Sequence, residues 1–176
     1  MPSRYQPSAR TAVARLEKDI RALLERAARI DSAEELSGDV CRYTCVRICG
    51  YLEQSLVQCA RSLCEANSWG TVQEFALSWL EKAPNPRVEA ITGLVRRFSG
   101  KWAEELDVFL TENEYATRIN ALVGIRNDIA HGKNQGVSLS GANEYFALSS
   151  HVVQFLLDRF EPTTGLAARV NSRIDR

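Results

Sequence analysis

An excess of charge of either sign is missing from this sequence. Its 22 lysines and arginines stand against 22 aspartates and glutamates, so the net charge is zero. A protein that coats nucleic acid non-specifically is normally basic, which sets that class aside. Any contact with RNA must then come from a local patch. Long hydrophobic runs are lacking too. No stretch approaches the roughly 18 continuous apolar residues of a membrane-spanning helix, and the opening MPSRYQPSAR has no apolar core of a secretory signal. Proline is scarce, at Pro2, Pro7, Pro84, Pro86 and Pro162, and none interrupts a long periodic segment. Cysteine is present in an odd number, five, and three fall four apart at Cys41, Cys45 and Cys49. On a helix such residues project side by side without disulfide geometry. The expectation is a cytoplasmic protein in a reducing compartment, away from membranes.

What is there is a globular chain of 176 residues with 45% apolar content, enough for one domain with a sizeable core. Apolar residues recur at three and four rather than at two, which predicts an all-α fold. A helix over 8–29 buries Val13, Leu16, Ile20, Leu23, Leu24 and Ala27 and leaves Arg15, Lys18, Glu25 and Arg26 wet. Ser37-Gly38-Asp39 reads as a turn and cap before a second long helix over 40–65, apolar on more than one side and therefore central or at a dimer interface. Thr71, with Glu74 three residues on, reads as the capping box of a short helix whose apolar side holds Val72, Phe75 and Trp79. Further helices follow over 88–98, from Trp102 to Leu110, over 114–130 and over 141–160. No repeat or second domain is evident, so 1–161 forms one helical domain and 162–176 a C-terminal tail.

The segment Arg126-Asn127-Asp128-Ile129-Ala130-His131-Gly132 carries the chemistry. Tyr115, Ile119, Leu122, Ile125 and Ile129 form a stripe, and Arg126 falls roughly 40° from its centre. An arginine there either meets a carboxylate, with Glu53 a candidate, or the stripe opens onto an anion site. Asn127 and His131 are four apart and can stack one turn above the other, so the amide can orient the imidazole. Gly132 stands where a helix-ending glycine is expected. An imidazole that moves protons and a guanidinium that binds phosphate suit phosphodiester chemistry. A plainer reading also stands: cations at a helix C-terminus complement its dipole.

The pattern Arg126-Asn127-x3-His131 at the end of a late helix, followed by a further amphipathic helix, resembles the HEPN superfamily. Ile129-Ala130-His131-Gly132 is similar to its RiboL-PSP-HEPN branch, as is the second helix from Val40-Cys41-Arg42-Tyr43 through Gly50-Tyr51-Leu52-Glu53. The resemblance runs from about Ala12 to Phe160. It implies a helical bundle, with long central helices and short additional ones, that is usually a homodimer with two motifs facing one cleft. Catalytic members cut RNA without a metal: the 2′-hydroxyl attacks the phosphate and leaves a 2′,3′-cyclic phosphate. Carried over, His131 is the general acid or base, Arg126 binds the scissile phosphate, and Asn127 orients it or the histidine. Many members are toxins of toxin–antitoxin or phage-defence systems, so an antitoxin or defence protein is an implied partner. Members that partner nucleotidyltransferases often carry a tyrosine where Lys133 stands here.

Other residues admit two readings. Arg87, Arg96, Arg97 and Lys101 form a basic cluster, either an RNA-binding patch, with Lys133 a further cation, or a solvated face. Trp69, Trp79 and Trp102 suit either base stacking or, at their spacing, the core. His151 is a second acid/base or an ordinary helix-flank histidine. The cysteines pack like small hydrophobes rather than ligating zinc. The expectation is an endoribonuclease without metal or cofactor; the rival is a non-catalytic module that dimerises and binds a partner protein or nucleotide.

Overall fold

The computed structural model describes residues 8–32, 34–81 and 85–161. Among them the chain forms helices only: α1 (Ala9–Ala27), α2 (Glu35–Asn67), α3 (Gly70–Ser78), α4 (Val88–Phe98), α5 (Gly100–Glu112), α6 (Tyr115–Ala130) and α7 (Leu139–Phe160). The tail expected from Pro162 onward lies outside the described residues.

The bundle is built around α2, whose 33 residues span about 50 Å. α1, α6 and α7 all pack on it, and α4 pairs with α5. Large α2 residues such as Ile48, Leu52 and Leu56 are fully buried, each contributing roughly 1.5–3 kcal/mol of transfer free energy. Between them Cys41, Thr44, Cys45, Cys49, Ser55, Cys59 and Ala60 are buried too. Side chains this small let three helices approach one axis, which is why α2 reads as apolar nearly all round. Phe160 at the end of α7 sits against Phe98 and Trp102, with ring centroids 5.2 and 5.3 Å apart. Arg10 ties α1 to the same end, donating to the Glu161 carbonyl and pairing with Asp158.

Two boundaries differ from the sequence expectation. Ser37-Gly38-Asp39 is not a turn: α2 already begins at Glu35, and Asp39 pairs with Arg42 one turn on. Thr71 is not a cap either. Trp69 is extended, Gly70 has φ +59°, and α3 starts there without a side-chain cap. The reversal is held instead from α2: Ser68 Oγ donates to Cys64 O, Asn67 Nδ2 to Leu63 O, and Gln73 Nε2 to Ser68 O. These side chains satisfy carbonyls that a helix end leaves open.

α3 also turns the opposite way from expectation. Trp69, Val72, Phe75 and Trp79 are 84, 67, 66 and 58% exposed. The stripe exists, but α3 packs chiefly on α2, and Leu77 and Leu80 supply its apolar contact with the core. Trp79 is partly covered by the Arg97 guanidinium, 5.0 Å from its ring centroid. Trp102 alone of the three tryptophans packs against the core.

Candidate active site

α6 places the motif at the edge of the bundle. Ile119, Leu122 and Val123 are buried, whereas Gly124 through Ile129 are all half-buried. The buried stripe therefore fades just where Arg126 occurs, so its charge keeps access to water. The helix then closes as the glycine predicts. His131 N donates to Asn127 O at 3.0 Å, and Lys133 N reaches back to Asp128 O at 2.9 Å. Gly132 between them has φ +75°. This is a Schellman-type ending, whose left-handed residue is almost always glycine. It leaves the His131 side chain exposed at the tip.

Arg126 donates from Nη1 to Asn127 Oδ1 at 3.1 Å. Among the described residues it forms no ion pair, and Glu53 is not brought into one with it. Both side chains lie near Cys49. Burial pushes the Cys49 thiol up to about 12, against a lowering influence of Arg126 and with a raising one of Glu53. Its Sγ donates to Leu122 O at 3.6 Å, seaming α2 to α6. The Asn127 amide thus meets the guanidinium rather than the imidazole; it joins His131 through its backbone carbonyl. Asn120, on the same helix, accepts from Val88 N at 3.1 Å and anchors the start of α4.

The loop after His131 is held by contacts that the sequence reading did not foresee. Lys133 Nζ lies 2.8 Å from Asp128 Oδ1, and Gln135 Nε2 donates to the other carboxylate oxygen at 2.5 Å. These contacts, the Lys133 hydrogen bond foremost, hold the Asp128 carboxyl below its ordinary value, and the nearby His131 adds to the lowering. Arg42 Nη1 donates to Asn134 Oδ1 at 3.0 Å, fastening the loop to α2. The signal was the helix-ending glycine itself: a 6→1 closure brings residues five apart together, a spacing absent from regular helix rules.

The remaining candidates lie elsewhere. Arg96 pairs with Asp107 at 3.4 Å and Lys101 with Glu105 at 3.9 Å, while Arg97 covers Trp79. Arg97 borders Cys64 in one cleft, whereas Arg126 acts on Cys49, about 22 Å nearer the start of α2 along its axis. Of Arg96, Arg97, Lys101 and Lys133, only Lys133 is beside the motif, while Arg87 stands next to Val88, whose N–H meets Asn120 of α6. His151 Nδ1 is 2.7 Å from the Tyr115 hydroxyl at the opposite end of α6. The five cysteines are free thiols, and burial pushes Cys45 and Cys59 up to about 12, far from a reactive range. Among the described residues no three His, Cys, Asp or Glu side chains stand together as metal ligands, and no helix is long and apolar enough to cross a membrane.

Among the described residues the chain is an all-helical bundle in which α6, ending in Arg126-Asn127-x3-His131, is followed by α7. The family model for RiboL-PSP-HEPN matches residues 11–161, and the chain belongs to that family. No curated protein and no solved structure gives a significant match.

Proposed function

We propose that this protein is a homodimeric endoribonuclease that cuts RNA by attack of the 2′-hydroxyl. The observation that carries the reading is Arg126: a half-buried guanidinium with no ion pair among the described residues, beside Asn127 and on the helix end that exposes His131. A charge so placed serves an anion better than it serves the core.

In the proposed step, one imidazole takes the proton of the 2′-hydroxyl and its oxygen bonds to phosphorus. The P–O5′ bond breaks, and an imidazolium protonates the departing oxygen. Arg126 binds the non-bridging oxygens and stabilises the charge that develops on them. The products are a 2′,3′-cyclic phosphate and a 5′-hydroxyl. Arg126 and His131 are about 7.5 Å apart along the helix axis, so a second copy's motif across the cleft would supply the partner groups. Family membership supports an RNA substrate, and a toxin or defence role opposed by an antitoxin fits it.

One observation favours a non-catalytic module instead. Ile125 and Ile129 on α6 and Val46 on α2 are only half-buried, a surface suited to docking a partner. Incubating the protein with single-stranded and transfer RNA, with His131→Ala in parallel, separates the two readings. Cyclic phosphate ends from the parent alone support the enzyme; cleavage by neither supports the module.

A further inference from the structure

The ion-paired cations of α4 and α5 leave open where a substrate strand would be held. A different cleft, of about 410 Å³, lies between α1 and α2. Asp19, Glu25, Arg26, Arg29, Tyr43 and Arg47 line it above Ala22 and Leu23. Arg26, Arg29 and Arg47 are exposed, and none is in an ion pair among the described residues. Arg47 Nη1 donates to the Tyr43 hydroxyl at 3.1 Å, and the tyrosine is 51% exposed. Two carboxylates oppose three guanidiniums. Asp19 lies roughly 10 Å along α1 from Arg26, while Glu25 adjoins it, so the lining as a whole carries one net positive charge.

This cleft opens on the motif's end of the molecule. Arg42, the residue before Tyr43, reaches Asn134 just past His131. From Arg42 the helix turns about 100° to Tyr43 and about 140° to Arg47. α1 and α6 both pack on α2, and the exposed strip between them carries Tyr43 and Arg47. A strand leaving Arg126 would cross that strip and meet Arg26 and Arg29 about two helix spacings away, roughly 16–20 Å. Complementing the α1 dipole accounts for Arg26 and Arg29, but not for Arg47 and an aromatic ring facing them.

We propose that the α1–α2 cleft is a subsite for single-stranded RNA, with Arg26, Arg29 and Arg47 on backbone phosphates and Tyr43 stacked on a base. The proposal rests on the ribonuclease reading and names where its substrate is held.

The test uses the full chain bearing His131→Ala, so that binding is read without turnover. Its affinity for a fluorescent single-stranded oligoribonucleotide is measured across a salt series, alone and with Arg26→Ala, Arg29→Ala and Arg47→Ala combined. Loss of three single-strand phosphate contacts should lower the log–log salt slope by about two. Affinity at low salt should fall at least tenfold. Tyr43→Ala should weaken binding on the order of tenfold, and Tyr43→Phe should restore it, because stacking needs the ring and not the hydroxyl. All the altered side chains are exposed, and circular dichroism checks the fold. No binding by the His131→Ala chain, or an unchanged slope and affinity in the triple variant, overturns the subsite. If the parent never cuts RNA but the slope falls as stated, the subsite stands and the catalytic reading fails. If the parent cuts and the triple variant binds normally, the reverse holds.

Discussion

Lys133 Nζ lies 2.8 Å from Asp128 Oδ1, closing the polar loop after His131 back onto the helix that carries Arg126. The contact is exposed, so it adds little to global stability, but it fastens the loop that follows His131. Asp128→Asn should keep the helical content of the parent while lowering kcat roughly tenfold to a hundredfold, the scale on which misplaced groups cost rate. Single-turnover cleavage measures it. A rate within twofold of the parent would show that the loop does not position His131.

The same contact sets a pH dependence. The Asp128 carboxyl is held below its ordinary value by the Lys133 hydrogen bond first. A depressed folded-state value means that closure is favoured above the unfolded value and lost as pH falls through the folded one. Loop order should therefore hold at neutral pH and weaken only below the ordinary 3.8. Amide exchange at Lys133, whose N–H reaches Asp128 O, follows it directly. Loss of protection already near neutrality would contradict the assignment.

Arg126→Lys tests the guanidinium itself. Lysine keeps the charge but loses the planar fork that grips two phosphate oxygens. Cleavage should fall on the order of a hundredfold, as when one transition-state donor is removed. Retention of the parental rate would mean that Arg126 acts only as a charge.

The core carries its own predictions. Ile48→Ala, at a position with no exposure, should cost about 2–5 kcal/mol in denaturant unfolding. Phe75→Glu, on the open face of α3, should change stability by no more than about 0.5 kcal/mol. A thiol reagent at neutral pH should leave Cys45, Cys49 and Cys59 unmodified in the native protein and label them after unfolding, because burial keeps each protonated and shielded.

The sequence carried much of this where local rules held. Ser8 accepts from Thr11 N and starts α1 as a cap should, and Gly132 ends α6 in the left-handed region. The motif was readable since its residues are neighbours on one helix. What stayed hidden depended on tertiary packing. The stripe Val72, Phe75 and Trp79 marks a face but not the direction it points, and in a nine-residue helix the reversal at Gly70 decides that. In the basic run Arg96, Arg97 and Lys101, Arg96 looked free because Asp107 reaches it only once α4 and α5 pack, whereas Lys101 meets Glu105 one turn on within α5 itself. Arg26 read as part of a wet face, and nothing along the chain placed it across a cleft from Arg47.

The most direct test of the central claim is cleavage of mixed single-stranded and transfer RNA in excess EDTA by the parent and by His131→Ala. The account predicts products with 2′,3′-cyclic phosphate ends from the parent, and a rate lower on the order of 10²–10⁴-fold in the variant. Equal cleavage by both, or cleavage abolished by EDTA, would contradict it.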